Sequence, residues 1–298
     1  MRLIIVTGLS GSGKSVAIRQ LEDIGYYCID NLPLSFIIPV AKDLSKTQDY
    51  VAFAVDARSS FSDIDQPNAL LEELRKQNWD VRILFLTAST PELVQRFSET
   101  RRRHPLTLRL EAAGETLSLS EVIAREREIM EPFSLTAHVL DTTGLQSNTL
   151  RTWVKTFADA PHSNLNLTFE SFGYKHGIPI AADLVFDVRN LPNPYYDPTL
   201  RPYTGRDKPI IEYMQQQPVV QEMVDDIANF ITKWLPSYQA TNRQYLTIAI
   251  GCTGGQHRSV YVAETLAKRF SEQFPFVWLR HRIIGQRKEP AKGLTQSA

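Results

Sequence analysis

The sequence predicts an α/β protein of two domains, each with a glycine-rich loop between a strand and a helix. Three observations predict it. Short apolar, β-branched runs alternate with stretches of helical periodicity, the pattern of a parallel sheet covered by helices on both faces. Glycine-rich loops follow two of those runs, at Gly8–Ser15 and Gly251–Ser259. A polar, proline-containing break at Ala158–Asn164 separates two halves that each restart with strand-like segments.

The elements follow in order. Leu3–Val6 reads as a buried strand bounded by Gly8. Val16, Ala17, Ile18, Leu21 and Ile24 recur at helical spacing, with Gly25 as the stop signal. Tyr26–Ile29 is a second strand, ending at Asp30-Asn31-Leu32-Pro33; Tyr50–Val55 and Arg82–Leu86 are two more. Helical stretches lie near Asn68–Gln77 and Pro91–Arg102. Val139–Leu140 is the last strand of this unit, followed by a helix through Leu150, Val154 and Phe157. The boundaries are therefore a first domain over 1–157, a linker over 158–164 and a second domain over 165–298. That second domain has strands at Leu165–Ser171, Leu184–Val188, Leu246–Ile250 and Phe276–Leu279, and helices at Val219–Leu235 and Val260–Phe270. The stretch Leu191–Pro198 holds three prolines and reads as irregular.

Lys+Arg and Asp+Glu both number 33, so no global field draws the chain to a polyanion and any such binding must use a local patch. The two cysteines, Cys28 and Cys252, make no disulfide framework and fit a reducing compartment. The first apolar run is too short for an export signal, and no run of about 18 apolar residues exists to span a bilayer. These features predict a soluble, cytoplasmic chain with no membrane partner.

Gly8-Leu9-Ser10-Gly11-Ser12-Gly13-Lys14-Ser15 matches G-x-x-x-x-G-K-[ST] in full, between a strand and a helix. Glycines let successive N–H groups converge on phosphate oxygens, and the helix N-terminus adds its positive end. The first half is thus a P-loop NTPase-type domain for a nucleoside triphosphate. Lys14 is expected on the β- and γ-phosphates and the Ser15 hydroxyl on Mg²⁺. Asp56, after Val51–Val55, is the favoured second carboxylate, with Asp30 facing an acceptor or the attacking water; either position also suits a solvated strand end. No Asn-Lys-x-Asp signature is present to select guanine, so these residues leave the base undetermined. Arg96, Arg101, Arg102, Arg103 and His104 suit a lid over transferring phosphate, and equally a solvated basic helix end.

The second loop, Gly251, Cys252, Thr253, Gly254, Gly255, Gln256, His257, Arg258 and Ser259, repeats the strand–glycine loop–helix arrangement and predicts a bound anion. Cys252 and Arg258 have the C-x₅-R spacing of thiol phosphatases. Gly251 rather than His precedes the cysteine and no general acid can be assigned, so a non-catalytic phosphate pocket is favoured over thiol chemistry or a plain turn. From Pro275 onward stand Arg280, Arg282, Arg287, Lys288 and Lys292 against Glu289, a local charge of +4, with His281, Phe276 and Trp278 among them. Basic residues interleaved with aromatics suit RNA; a solvated tail is the plainer alternative.

Longer motifs add a resemblance. Gly8–Ser15, Tyr27–Pro33 and Asp56-Ala57-Arg58 in the first half resemble the RapZ/YvcJ family of P-loop nucleotide-binding proteins. So do Phe169–Pro179, Asp187–Pro194, Arg201-Pro202, Thr204-Gly205 and Gly251–Ser259 in the second. The resemblance implies slow hydrolysis of ATP and GTP, with ATP at Gly8–Ser15 and GTP at Asp56, Ala57, Arg58 and Ser59. Lys14, Ser15 and Asp56 would carry the hydrolysis. In enterobacterial members the C-terminal domain binds small regulatory RNA and acts as an adapter to RNase E in the control of amino-sugar synthesis, sensing glucosamine-6-phosphate. That implies a sugar phosphate at Gly251–Ser259, RNA at Arg280, His281, Arg282, Arg287 and Lys288, and a homo-oligomer. The chain departs from the family at Ser59, where Asn is usual, and beyond Arg282. The alternative function is a P-loop small-molecule kinase using Lys14, Asp30 and Arg101–Arg103.

Overall fold

The computed structural model describes residues 1–55, 70, 73–74, 76–159, 165–240, 245–274 and 277–284. Asp56–Ser59, half of the helical stretch expected at Asn68–Gln77, Phe276, Arg287 and Lys288 lie outside the described residues. The chain divides into two compact units, one of residues 1–164 with 242–245 and one of residues 165–241 with 246–298.

The first unit is built on β1 (Arg2–Gly8), β2 (Tyr27–Ile29), β3 (Tyr50–Ala54), β4 (Asp80–Thr87) and β5 (His138–Asp141), in the order β2-β3-β1-β4-β5. All four pairings are parallel. Every residue of β1 from Leu3 to Gly8 is buried, as expected of a strand covered on both faces. α1 (Lys14–Asp23) ends in a Schellman turn, where Gly25 N–H donates to Glu22 O and Tyr26 N–H to Leu21 O, with Gly25 at φ 95°. α2 (Ile37–Leu44), α3 (Thr90–Thr100), α4 (Thr107–Ala112), α5 (Leu119–Ser134) and α6 (Ser147–Asp159) also belong to this unit. On one face of the sheet Leu3, Ile5, Phe53, Ile83 and Phe85 join Ile37, Leu93, Val122, Ile123 and Phe133 in a hydrophobic core.

α6 corrects the expected linker. It continues through Ala158 and Asp159, because Ala158 extends the buried stripe of Leu150, Val154 and Phe157 and its carbonyl accepts from Arg2 Nη1 at 2.7 Å.

The second unit holds β6 (Asn166–Gly173), β7 (Leu184–Asp187), β8 (Tyr245–Cys252) and β9 (Val277–His281), in the order β7-β8-β6-β9, with its own core. α7 (Lys208–Gln215), α8 (Pro218–Ala240) and α9 (Arg258–Ser271) belong to it. Within the stretch read as irregular, Pro194–Tyr196 closes one 3₁₀ turn, started by Asn193 Oδ1 accepting from Tyr195 N–H. No described helix is long and apolar enough to cross a membrane.

Candidate functional site

β1 runs out of the sheet at Gly8, and the chain curls through Gly8–Gly13 before α1 begins. Gly8 and Gly13 adopt φ of 119° and 109°, which side chains rarely tolerate. A Cβ on Gly8 would also collide with the Leu86 carbonyl, and one on Gly13 would lie 2.7 Å from Leu150 Cδ2. Gly25 shares the positive φ but nothing lies within 4 Å of its Cβ position. Gly25→Ala is therefore expected to cost only the left-handed backbone penalty of about 1–2 kcal/mol. Gly8→Ala should cost clearly more, as read from urea unfolding of both variants; equal losses would mean that the contact with β4 does not constrain the turn.

The loop is braced from three sides. Lys14 Nζ donates to Gly8 O at 2.7 Å and Leu9 O at 3.1 Å. Thr142 Oγ1, just after β5, donates to Ser12 O at 2.9 Å. Arg96 on α3 donates to Gly11 O at 3.1 Å and Thr142 O at 2.7 Å, while pairing with Glu92. On the third side Ser10 meets Glu126 of α5: its N–H donates to Oε2 at 2.9 Å and its hydroxyl to Oε1 at 2.6 Å. His104 Nε2 lies 3.1 Å from the same Oε2, and its Nδ1 accepts from Leu106 N–H at 3.2 Å. That leaves the ring proton on Nε2, donated to the carboxylate. Burial pushes the Glu126 carboxyl up; the bond from His104, the Lys14 charge and the Ser10 hydroxyl outweigh it, so it stays below the usual carboxylate range.

A cavity of about 610 Å³ opens over Ser10–Val16, with Arg96, Arg102 and Arg103 along one wall and Leu145 and Leu150 along another. Among the expected basic residues the structure separates three roles. Arg96 is fixed to the loop, Arg102 and Arg103 line the cavity, and Arg101 caps α3 at φ 51°. His104 is corrected outright: it is 2% exposed and tied to Glu126, so it belongs to no solvated lid. Asp30 is exposed at the end of β2. Asp56 lies outside the described residues; β3, which precedes it, pairs with β1 in the register Val6↔Ala54. Sequence reasoning missed Glu126, Thr142 and Arg127, whose guanidinium donates to Thr87 Oγ1 and Ala88 O at the end of β4.

In the second unit β8 delivers the chain to Gly251–His257, and α9 starts at Arg258 with no side-chain cap. Cys252 is 3% exposed; its Sγ accepts from Gly255 N–H at 3.2 Å and lies 3.1 Å from Ser259 Oγ. Arg258 Nη1 donates to Arg189 O at 2.6 Å and Leu191 O at 3.0 Å, so the proline-rich stretch holds the guanidinium beside the loop. Gly205 N–H donates to Gln256 O and Lys175 N–H to Thr253 O. Arg189 lies 4.0 Å over the Tyr174 ring and its bonds hold Asp187 below the usual carboxylate range. Among the described residues, no group of three His, Cys, Asp or Glu is placed to hold a metal ion.

The basic end is corrected most. Arg280 on β9 is 7% exposed, sits opposite Glu170 of β6 in the strand register, and pairs with it at 3.4 Å. His281 Nδ1 meets Ser171 Oγ at 2.8 Å and its Nε2 meets Glu264 Oε1 of α9 at 3.1 Å. That contact, with Arg206 beside it, keeps Glu264 below the usual carboxylate range despite partial burial. Both side chains hold the sheet together rather than face a polyanion. Arg282, half-buried, donates its N–H to Ser171 O.

A parallel five-stranded sheet, a glycine loop carrying Lys14 and a helix N-terminus at its end define a P-loop α/β protein. The RapZ-like N-terminal domain model matches residues 1–160 and the RapZ C-terminal domain model residues 165–285. The chain belongs to the RapZ family. It is 54% identical over 286 residues to a protein of Paraburkholderia xenovorans named nucleotide-binding protein, covering 95% of each. A Burkholderia pseudomallei protein with the same designation is 53% identical over 286 residues, again with 95% of each chain covered. Among solved structures, the shikimate kinase of Bacteroides thetaiotaomicron aligns with 53% of this chain and 99% of its own, at 13% identity and a TM-score of 0.36. That of Acinetobacter baumannii, in complex with shikimate, aligns with 53% and 93% at 16% identity and a TM-score of 0.35.

Proposed function

We propose that the chain is a regulatory nucleotide-binding protein. Its first unit binds ATP or GTP with Mg²⁺ at Gly8–Ser15 and hydrolyses it slowly, and its second unit binds a sugar phosphate and small regulatory RNA. The observation that carries the first part is the braced loop at the head of α1. Lys14 shares its ammonium with two loop carbonyls, an arrangement from which it can turn to β- and γ-phosphate oxygens without unfolding anything. Ser15, exposed in the first turn of α1 and on the cavity wall, is a hard oxygen ligand suited to Mg²⁺. The ion would neutralise charge on the phosphates. Asp56 is proposed to orient the attacking water, and Asp56–Ser59 to serve GTP. The nucleotide-binding designation of the relatives agrees with this reading. Titration of the full chain with a fluorescent ATP analogue and Mg²⁺ tests it: saturable binding displaced by ATP is expected, and no binding would refute it. Transfer to a small acceptor is the second reading, favoured by Arg102 and Arg103 on the cavity wall. It predicts faster ADP release when the acceptor is present.

For the second unit, Arg258 and the start of α9 support a phosphate pocket such as glucosamine-6-phosphate would fill. Cys252→Ser should leave its binding intact, because the Ser hydroxyl can still accept from Gly255 N–H. A phosphatase activity lost in Cys252→Ser would instead establish thiol chemistry. For RNA the candidates narrow to Arg282, Arg287 and Lys288, with RNase E as the proposed partner. Each phosphate contact adds roughly 0.7 to the slope of log affinity against log salt for single strands, so changing all three to Ala should flatten it by about two units. Filter binding of a structured small RNA to the full chain at several salt concentrations reads this out. An unchanged slope would place RNA binding elsewhere or nowhere.

A further inference from the structure

Ser10 is unlike its neighbours in the loop. Both of its donors point away from the cavity, into the oxygens of Glu126, whose side chain has no exposed surface. Glu126 occupies a place where an apolar residue would be expected, within the buried stripe Val122, Ile123, Met130 and Phe133 of α5. A carboxylate buried there is costly unless it is hydrogen-bonded, and here Ser10 N–H, Ser10 O–H and His104 Nε2–H give three bonds to its two oxygens. α5 is placed independently of the loop: Ser118 and Glu121 form its capping box, and its apolar face joins the first core.

We infer that Glu126 is a positioning residue for the phosphate loop. By taking both donors of Ser10 it fixes the turn between Gly8 and Gly11, and so aims the amides of Gly11–Ser15 and the Lys14 ammonium at a triphosphate. The inference rests on the nucleotide reading for its ligand, but the anchoring itself does not. The geometry also says which property of Glu126 matters. A glutamine with its Oε1 in the place of Oε2 still accepts from Ser10 N–H and His104. Its Nε2 then donates to the Ser10 oxygen, whose hydroxyl can accept as well as donate. Glu126→Gln thus keeps a hydrogen bond at each of the three contacts, with the one to the Ser10 hydroxyl reversed, and removes the charge, whereas Glu126→Ala removes the bonds.

The test is made on the full chain with two readouts: hydrogen exchange at the Ser10 amide without nucleotide, and the Kd of ATP with Mg²⁺. Losing the acceptor of a buried donor should make Glu126→Ala exchange about tenfold faster at Ser10 and bind ATP about tenfold more weakly. Glu126→Gln should stay within about threefold of the parent in both, since its hydrogen bonds survive. Met130→Ala, a core change on the same helix, should lower thermal stability and leave both readouts in place. Ser10→Ala keeps the N–H bond and loses the hydroxyl bond, so an intermediate effect is expected; it carries the test should Glu126→Ala fail to fold. Impairment of Glu126→Gln equal to that of Glu126→Ala, or unchanged exchange in the Ala variants, would overturn the inference. Faster Ser10 exchange in a protein whose parent binds no ATP would sustain the anchoring and remove the nucleotide reading instead.

Discussion

Lys14→Ala is expected to reduce nucleotide hydrolysis by a factor on the order of 10²–10³, the range seen when one fixed donor to transition-state charge is removed. The argument is electrostatic. Charge on the γ-phosphoryl group is spread over oxygens that a point cation at the head of α1 can meet, and water in its place is neither fixed nor charged. The loss should not come from unfolding. Lys14 is half-buried, its Nζ bonds are to the Gly8 and Leu9 carbonyls, and the loop keeps its braces from Glu126, Thr142 and Arg96. Steady-state hydrolysis and a thermal melt of the same preparation separate the two: activity falls and the melting temperature holds. Parent-like hydrolysis by the variant would place the reaction outside this loop.

Arg280→Ala should strongly destabilise the second unit. It leaves Glu170, 2% exposed, as a buried charge without its cross-strand partner, and breaking such a pair costs about 3–5 kcal/mol. For a unit of this size the melting temperature should fall on the order of 10 °C or more. Replacing both partners by apolar residues of similar size, Arg280→Met with Glu170→Leu, should recover most of the loss, because a buried ion pair stabilises mainly against its own half-removal. A melting temperature unchanged in Arg280→Ala, together with weaker RNA binding, would return the guanidinium to the surface.

These two residues show what is legible in a sequence and what is not. Lys14 is given by local spacing: it stands six positions after Gly8, and the strand and helix that flank it are periodic in their own right. The strands of the first sheet and the stop at Gly25 follow from patterns within one or two turns. Arg280 and His281 look like a basic tail because the residues that engage them lie far away in sequence. Ser171 and His281 are 110 positions apart, and only the register of β6 on β9 brings Glu170 to Arg280. α5 was hidden for a different reason. Its buried stripe is interrupted by Glu126, so the residue that anchors the loop also spoils the apolar period that would reveal the helix. Ser118-x-x-Glu121 is the local signal that would have marked its start.

The central claim is that Gly11–Ser15 receives the phosphates. Backbone amide shifts of the full chain, recorded with and without ATP and Mg²⁺, test it most directly. The account predicts the largest shifts at Gly11, Gly13, Lys14 and Ser15, with Ser10 smaller because its N–H remains on Glu126, and with all of them lost in Lys14→Ala. Saturable ATP binding that leaves these amides unshifted would contradict it.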